Sequence, residues 1–256
     1  MIRDVGKIIV CLFIVAGLTG CASLTSVRKY HPEDRSKVAD LNTKLAFVYL
    51  GEGNNELALK KLEKAINVDR SYAPAYGALG LLYDRIGDFD KSDKNFRKAL
   101  RLDPNNSSIL NNYGQMLCRQ EQYTKGQKMF LKANDNALYR TPEIALSNAG
   151  TCAMEAGDTA AAEQHFREAL VLNPRIAPTL LQMTVISYDL GRFLSARAYL
   201  QRYLEIGRPT PQSLWLGIRI EREMGDKDAL TSYTLQLEKI YPDTKEARLL
   251  LESTEH

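Results

Sequence analysis

The sequence predicts an all-α protein built from repeated pairs of helices. Ala, Leu, Lys, Glu and Arg, which have high helix propensity, dominate the chain, and only nine of its 256 residues are proline. Small and aromatic residues recur with a step of 34 residues, which fits two helices and their turns. Such a unit cannot bury its apolar face alone, so we expect neighbouring copies to stack into one elongated domain.

The clearest copy is Ala73–Pro104. It has Tyr76 at position 4, Gly80 at position 8 and Ala99 at position 27, the pattern of the tetratricopeptide repeat (TPR). The same register predicts about six repeats, which begin near residues 39, 73, 107, 143, 177 and 211. We therefore expect a right-handed superhelix of about thirteen helices, closed by a capping helix over residues 244–253.

Position 15 of each repeat is expected to end the first helix of the pair. A glycine there can adopt the left-handed conformation that terminates a helix. The third repeat departs from this pattern because it has Glu121 at position 15, and it also has Gly126 where alanine is usual. The glycines at position 15 of the other repeats are Gly53, Gly87, Gly157, Gly191 and Gly225.

Residues 1–20 predict a lipoprotein signal peptide. Arg3 and Lys7 give a basic start, and Ile8–Leu18 is an apolar run too short for a stable membrane-spanning helix. Leu18-Thr19-Gly20-Cys21 then resembles a bacterial lipobox, which implies that Cys21 is lipidated and becomes the mature N-terminus. The alternative is an ordinary cleaved signal peptide that a cysteine follows by chance.

Residues 21–36 are predicted to be the lipidated N-terminus and a flexible tether, and residues 37–256 the TPR domain. The tether assignment depends on the polar composition of Ala22–Ser36, which shows no hydrophobic period. Ala22 rather than aspartate follows Cys21, which by the sorting rule of typical Gram-negative lipoproteins implies the outer membrane. We therefore expect a lipid anchor on the periplasmic face of that membrane.

The composition and motifs argue against several classes of function. A formal net charge of +3 does not indicate nucleic acid as a partner. His31, His165 and His256 lack ligand spacing, so we expect no metal site and interpret each as a surface residue. No nucleophile has a plausible base and orienting group, so the chain is not expected to be an enzyme or to use a cofactor or a small-molecule substrate.

Cys118 and Cys152 remain as a pair once the signal peptide and lipidated Cys21 are set aside. They occupy positions 12 and 10 of the first helices of the third and fourth repeats, which should lie about 8–10 Å apart. This geometry permits a disulfide, and the periplasm is oxidising. Two buried free thiols are the alternative.

The inner wall of the superhelix is the predicted partner-binding groove. Phe47, Leu81, Tyr188 and Trp215 are large apolar residues at positions that packing does not require, as in peptide-binding surfaces. The alternative is that the superhelix itself covers some of them, Trp215 above all. The predicted groove residues are Thr43, Phe47, Leu50, Gly77, Leu81, Asp84, Arg85, Asn111, Gln115, Arg119, Tyr188 and Trp215, and the same repeat positions also include Ser147, Thr151, Met154, Leu181, Val185, Arg219 and Arg222.

Three segments, Leu110–Tyr123, Leu138–Asp158 and Ala162–Pro174, go beyond a generic TPR and resemble the type IV pilus biogenesis lipoprotein family PilF/PilW. The matching cysteines imply a disulfide between Cys118 and Cys152. The resemblance implies a pilotin, an outer-membrane lipoprotein that binds the pilus secretin and promotes its localisation and multimerisation. We expect a monomer in the absence of this partner. The alternative function is a periplasmic TPR scaffold for another envelope complex, such as cell-wall or cytochrome-maturation machinery.

Overall fold

The computed structural model describes residues 31–253, and these residues form thirteen α-helices without a β-strand. The helices are α1 (Pro32–Gly51), α2 (Asn55–Val68), α3 (Ala73–Arg85), α4 (Phe89–Leu102), α5 (Ser107–Arg119), α6 (Tyr123–Asn134), α7 (Pro142–Glu155), α8 (Thr159–Leu172), α9 (Ala177–Asp189), α10 (Phe193–Ile206), α11 (Pro211–Met224), α12 (Lys227–Ile240) and α13 (Lys245–Glu252). Each odd-numbered helix up to α11 packs on the helix that follows it. The predicted all-α TPR superhelix is confirmed.

Close contact between a glycine and a phenylalanine joins the two helices of the central repeats. A Cβ atom on each of these glycines would lie 2.5–2.8 Å from the aromatic ring, so no larger residue fits without movement. The small residue at position 8 thus lets the pair approach closely enough to bury the ring completely. These contacts are Gly80 under Phe96, Gly114 under Phe130 and Gly150 under Phe166.

Left-handed residues end the first helices, as the sequence predicts. The glycines at position 15 have φ angles of 68–79°. Glu121 adopts the same conformation, with φ 59°, although its Cβ atom makes that conformation unfavourable by about 1 kcal/mol. Asp88, Asp158 and Asp226, each directly after such a glycine, accept a hydrogen bond from the third backbone N–H of the next helix.

The first helix begins earlier than the sequence predicts. Residues 32–36, assigned above to the tether, form the first turns of α1, because Pro32 suits the first helical position and Glu33 and Asp34 favour a helix N-terminus. At the other end, α13 packs on α11 and buries Ala247 and Leu250. Residues 1–20, Cys21 and His256 lie outside the described residues.

His165 differs from its interpretation as a surface residue. Its side chain is only 12% exposed, since α8 packs against both α7 and α9. The Nδ1 atom is buried, has no hydrogen-bond partner within the described part of the chain, and lies 4.0 Å from a carboxylate oxygen of Glu168. No cluster of three potential metal ligands occurs among residues 31–253.

Candidate partner-binding groove

First helices of neighbouring repeats form the inner wall, and polar side chains connect them. Arg119 on α5 forms an ion pair with Asp84 on α3. Asn148 on α7 donates a hydrogen bond from Nδ2 to Oδ1 of Asn111 on α5, over 2.9 Å. Asp84 and Asn111 are buried, so these contacts satisfy polar groups that would otherwise be left without partners.

In addition to Asp84 and Asn111, three predicted groove residues are buried and do not lie on an open surface. Thr43 is buried and donates its hydroxyl to the Ala39 carbonyl, 2.8 Å away, within α1. Leu50 belongs to the core cluster between the first two repeats. A Cβ atom at Gly77 would lie 2.9 Å from Ile109, because α3 and α5 pack closely there. These residues contribute to helix packing, and their assignment to a partner-contacting surface was wrong.

The N-terminal part of the groove is apolar. Phe47 is 44% exposed, and Leu81 is partly buried against the core clusters on both sides of α3. Arg85 donates a hydrogen bond to the carbonyl of Leu50 near the C-terminus of α1, where a cation interacts favourably with the helix dipole. This end therefore presents an exposed aromatic ring on α1 and a positive charge that is held by a hydrogen bond from α3 to α1.

The middle of the groove has a cavity beside a disulfide, lined by both polar and apolar side chains. Cys118 on α5 and Cys152 on α7 are bonded, with their Cα atoms 5.7 Å apart. The cavity has a volume of about 250 Å³ and contains amide, hydroxyl and carboxylate groups suited to hydrogen bonding. It is lined by Gln115, Cys118, Arg119, Phe130, Asn148, Thr151, Cys152 and Glu155.

Gly126 accommodates the disulfide, a role that the sequence did not reveal. A Cβ atom at this position would overlap Sγ of Cys118 and would also lie 2.9 Å from the carbonyl oxygen of Gly114. The alanine that usually occupies this repeat position would therefore collide with the bridged sulfur. The joint departure of Gly126 and the cysteines from a generic TPR was the available signal.

The C-terminal part of the groove combines aromatic rings with arginines. The guanidinium carbon of Arg219 lies 4.1 Å from the centre of the Tyr188 ring, and that of Arg222 lies 5.8 Å from the Trp215 ring. Trp215 is partly buried against the core cluster formed with α12 and α13, so the alternative that the superhelix covers it is partly correct.

Behind this surface, α10 and α11 are joined by a buried ion pair. Arg197 on α10 pairs with Glu221 on α11, and a second carboxylate, that of Asp226, lies 3.3 Å away. The hydrogen bond to Glu221 raises the pKa of Arg197 above its usual value. The pair fixes the face of α11 that is opposite to its groove residues.

The helix pairs and the inner groove define a TPR protein, a class that binds other proteins. Residues 37–105 and residues 95–128 each match a family model described as tetratricopeptide repeat. The chain is also 32% identical to the type IV pilus assembly protein PilF of Pseudomonas aeruginosa, over 92% of this chain and 94% of that protein. It therefore belongs to the PilF/PilW family of type IV pilus biogenesis TPR proteins, as its resemblance to that family implied.

Solved structures of the same family have the same fold. The structure of PilF from Pseudomonas aeruginosa is 31% identical in sequence and superposes with a TM-score of 0.79, covering 86% of this chain and 99% of that one. The structure of PilW, described as a widely conserved type IV pilus biogenesis factor, is 27% identical with a TM-score of 0.74, covering 84% and 99%. The similarity thus extends over nearly all of each solved structure.

Proposed function

We propose that the protein is a pilotin, an outer-membrane lipoprotein that binds the pilus secretin and promotes its localisation and multimerisation. The observation that carries this proposal is the relationship to PilF, which extends over 92% of the chain. The lipobox-like segment that ends at Cys21 supports anchoring to the outer membrane. No helix within residues 31–253 is long and apolar enough to cross a membrane.

The groove offers suitable contacts for an extended segment of the secretin. Phe47 and Leu81 at the N-terminal end can bury apolar side chains of the ligand. The amide of Gln115 and the hydroxyl of Thr151, on the wall of the central cavity, can form hydrogen bonds to its backbone. Protein interfaces typically combine apolar contacts, which contribute affinity, with polar contacts, which orient the ligand.

The anchor contributes by raising the local concentration of secretin monomers. Acyl chains on Cys21 contribute about 0.8 kcal/mol for each buried CH₂ group, which makes two or more chains an essentially permanent anchor. Eleven residue steps separate Cys21 from Pro32, where α1 begins, so the chain between them can reach about 40 Å at most. A bound secretin subunit is therefore held near the membrane in which it must oligomerise.

Secretin behaviour in a deletion strain tests this proposal. We expect loss of the heat-stable secretin multimer, or its accumulation in the inner membrane, when membranes are fractionated and probed by immunoblotting. A Cys21→Ala protein should bind secretin but leave it mislocalised, because the groove is intact and the anchor is missing. Ala22→Ser, which retains the lipidation cysteine, is the matched control.

Normal secretin multimers at the outer membrane of the deletion strain would rule out the pilotin role. Affinity capture from a detergent extract of the envelope then distinguishes the alternative. Recovery of cell-wall or cytochrome-maturation proteins without secretin would identify the protein as a scaffold for a different complex.

A further inference from the structure

We infer that the C-terminal end of the groove is a binding site for an acidic peptide segment, whose carboxylates it recognises through Arg219 and Arg222. This inference rests on the proposed function in one respect, since it assumes that the inner groove contacts the partner. It goes further by naming the chemistry of the segment that binds at the α9–α11 surface. The aromatic rings of Tyr188 and Trp215 complete the site.

The first observation is that neither guanidinium is neutralised. Some other arginines along the repeats have carboxylate partners, such as Arg119 with Asp84 and Arg197 with Glu221. Within residues 31–253, no carboxylate lies within 4.0 Å of Arg219 or Arg222, although exposed acidic residues are nearby in sequence. Each guanidinium contacts an aromatic ring, and neither donates a hydrogen bond to another residue within the described part of the chain.

The second observation is that the four side chains share one surface. Trp215, Arg219 and Arg222 have the i, i+4, i+7 spacing that places residues on one face of α11. Arg219 reaches across to the Tyr188 ring on α9, so the surface continues between two neighbouring first helices. The rings hold the guanidinium groups in place, which reduces the conformational entropy lost when a ligand binds.

These features favour a carboxylate ligand. A guanidinium that stacks on a ring keeps its planar edge free, and that edge matches a carboxylate with two parallel hydrogen bonds. The adjoining half-buried apolar residues, Leu181 and Val185, can accept the aliphatic part of a glutamate or a neighbouring apolar side chain. An extended segment with several Asp or Glu residues therefore fits this end of the groove.

Binding of synthetic peptides to the purified protein tests the inference. The probe is a fluorescein-labelled peptide of repeating Glu-Gly-Asp-Ser, and the reference peptide has Gln and Asn in place of the acids. We expect fluorescence anisotropy to show about tenfold tighter binding of the acidic peptide, since charge-assisted hydrogen bonds are involved. Trp215 is the only tryptophan in the chain, so unlabelled acidic peptide should also change the intrinsic fluorescence at this site.

Matched variants assign the binding to these residues. Arg219→Gln with Arg222→Gln should abolish the preference for the acidic peptide, whereas Arg175→Gln with Arg208→Gln removes the same charge from exposed loop positions and should preserve it. Arg219→Lys should lose part of the preference because lysine keeps the charge but not the planar edge. Circular dichroism and thermal unfolding verify that each variant is folded.

Several results would overturn the inference. The first is equal binding of the acidic and amide peptides, and the second is unchanged binding of the acidic peptide to the Arg219→Gln, Arg222→Gln variant. The third is tighter binding of a single-stranded oligonucleotide of equal charge, which would indicate that the site recognises phosphate groups and stacked bases. The assay contains no pilus component. Its outcome is therefore independent of secretin behaviour in the deletion strain, and failure of this inference is distinguishable from failure of the proposed function.

Discussion

Gly126 illustrates how a single residue can determine whether two helices can be cross-linked. It lies on α6, yet its missing side chain leaves the space that Sγ of Cys118 occupies on the preceding helix. Cys118 can then reach Cys152 on α7 without displacing the second helix of its own repeat. The disulfide therefore depends on a third residue that forms no bond to it.

Gly126→Ala should lower the free energy of unfolding. The added methyl group overlaps the bridged sulfur and approaches the Gly114 carbonyl, and such overpacking typically destabilises by about 1–3 kcal/mol. Urea unfolding followed by circular dichroism measures the effect. In a Cys118→Ala, Cys152→Ala background the loss should fall by more than half, since the sulfur is absent.

Gly51→Ala is the matched control for this prediction. Gly51 lies at the end of α1, and a Cβ atom there would have no atom within 4 Å. Alanine should therefore stabilise by about 0.5–1 kcal/mol through its higher helix propensity. An equal loss of stability for Gly126→Ala with and without the cysteines would contradict the explanation by contact with sulfur.

Helix α11 is positioned by the ion pair behind it as well as by apolar packing. Arg197 is 23% exposed and Glu221 only 2% exposed, so the carboxylate depends on this cation for its charge balance. Removing one partner of a buried pair leaves a charge without compensation, which is more unfavourable than losing both.

Arg197→Met should therefore destabilise the protein by about 2–3 kcal/mol, somewhat less than for a completely buried pair because the guanidinium is partly exposed. Adding Glu221→Leu to this variant should recover most of the lost stability. Arg167→Met removes an arginine that is 60% exposed and pairs with Glu163, and it should change stability by about 0.5 kcal/mol at most. Thermal unfolding of the four proteins provides the comparison, and equal losses for Arg197→Met and Arg167→Met would refute the argument.

The helices were predictable from the sequence because local residues determine where they begin and end. Glycine at position 15 and a capping residue after it act within a few residues of the helix end, so a 34-residue register is enough to detect them. The start of α1 at Pro32 was not predicted in this way, because the 34-residue register describes the repeat itself and not an extension of its first helix.

The groove was predictable only as a set of positions. The 34-residue repeat register places Thr43 and Gly77 on the inner face. It does not reveal how closely neighbouring helices approach, and in the structure both residues are buried. The contact between Asp84 and Arg119 joins residues 35 positions apart, so the sequence alone did not reveal that each neutralises the other. Whether a groove residue is available to a partner is decided by such contacts between repeats.

At the scale of the whole molecule, stability is divided among neighbouring units. Each helix pair contacts mainly the pairs next to it, so opening of one end need not disturb the other. A two-residue insertion precedes α7, and Asn136 in this loop donates a hydrogen bond to Ser107 Oγ at the start of α5, over 3.0 Å. The third and fourth repeats are therefore connected by this loop in addition to the disulfide.

The disulfide has a mechanical consequence when the molecule is pulled from its two ends. Force that reaches the cross-link passes through the sulfur atoms, so the segment between Cys118 and Cys152, 34 positions apart, is shielded from tension. In an optical trap, the oxidised protein should extend to a contour length about 110–120 Å shorter than the reduced protein. Identical lengths with and without a reductant would show that the cross-link does not bear the load. An anchored subunit under tension could thus lose its outer repeats while the loop closed by the cross-link remains unstretched.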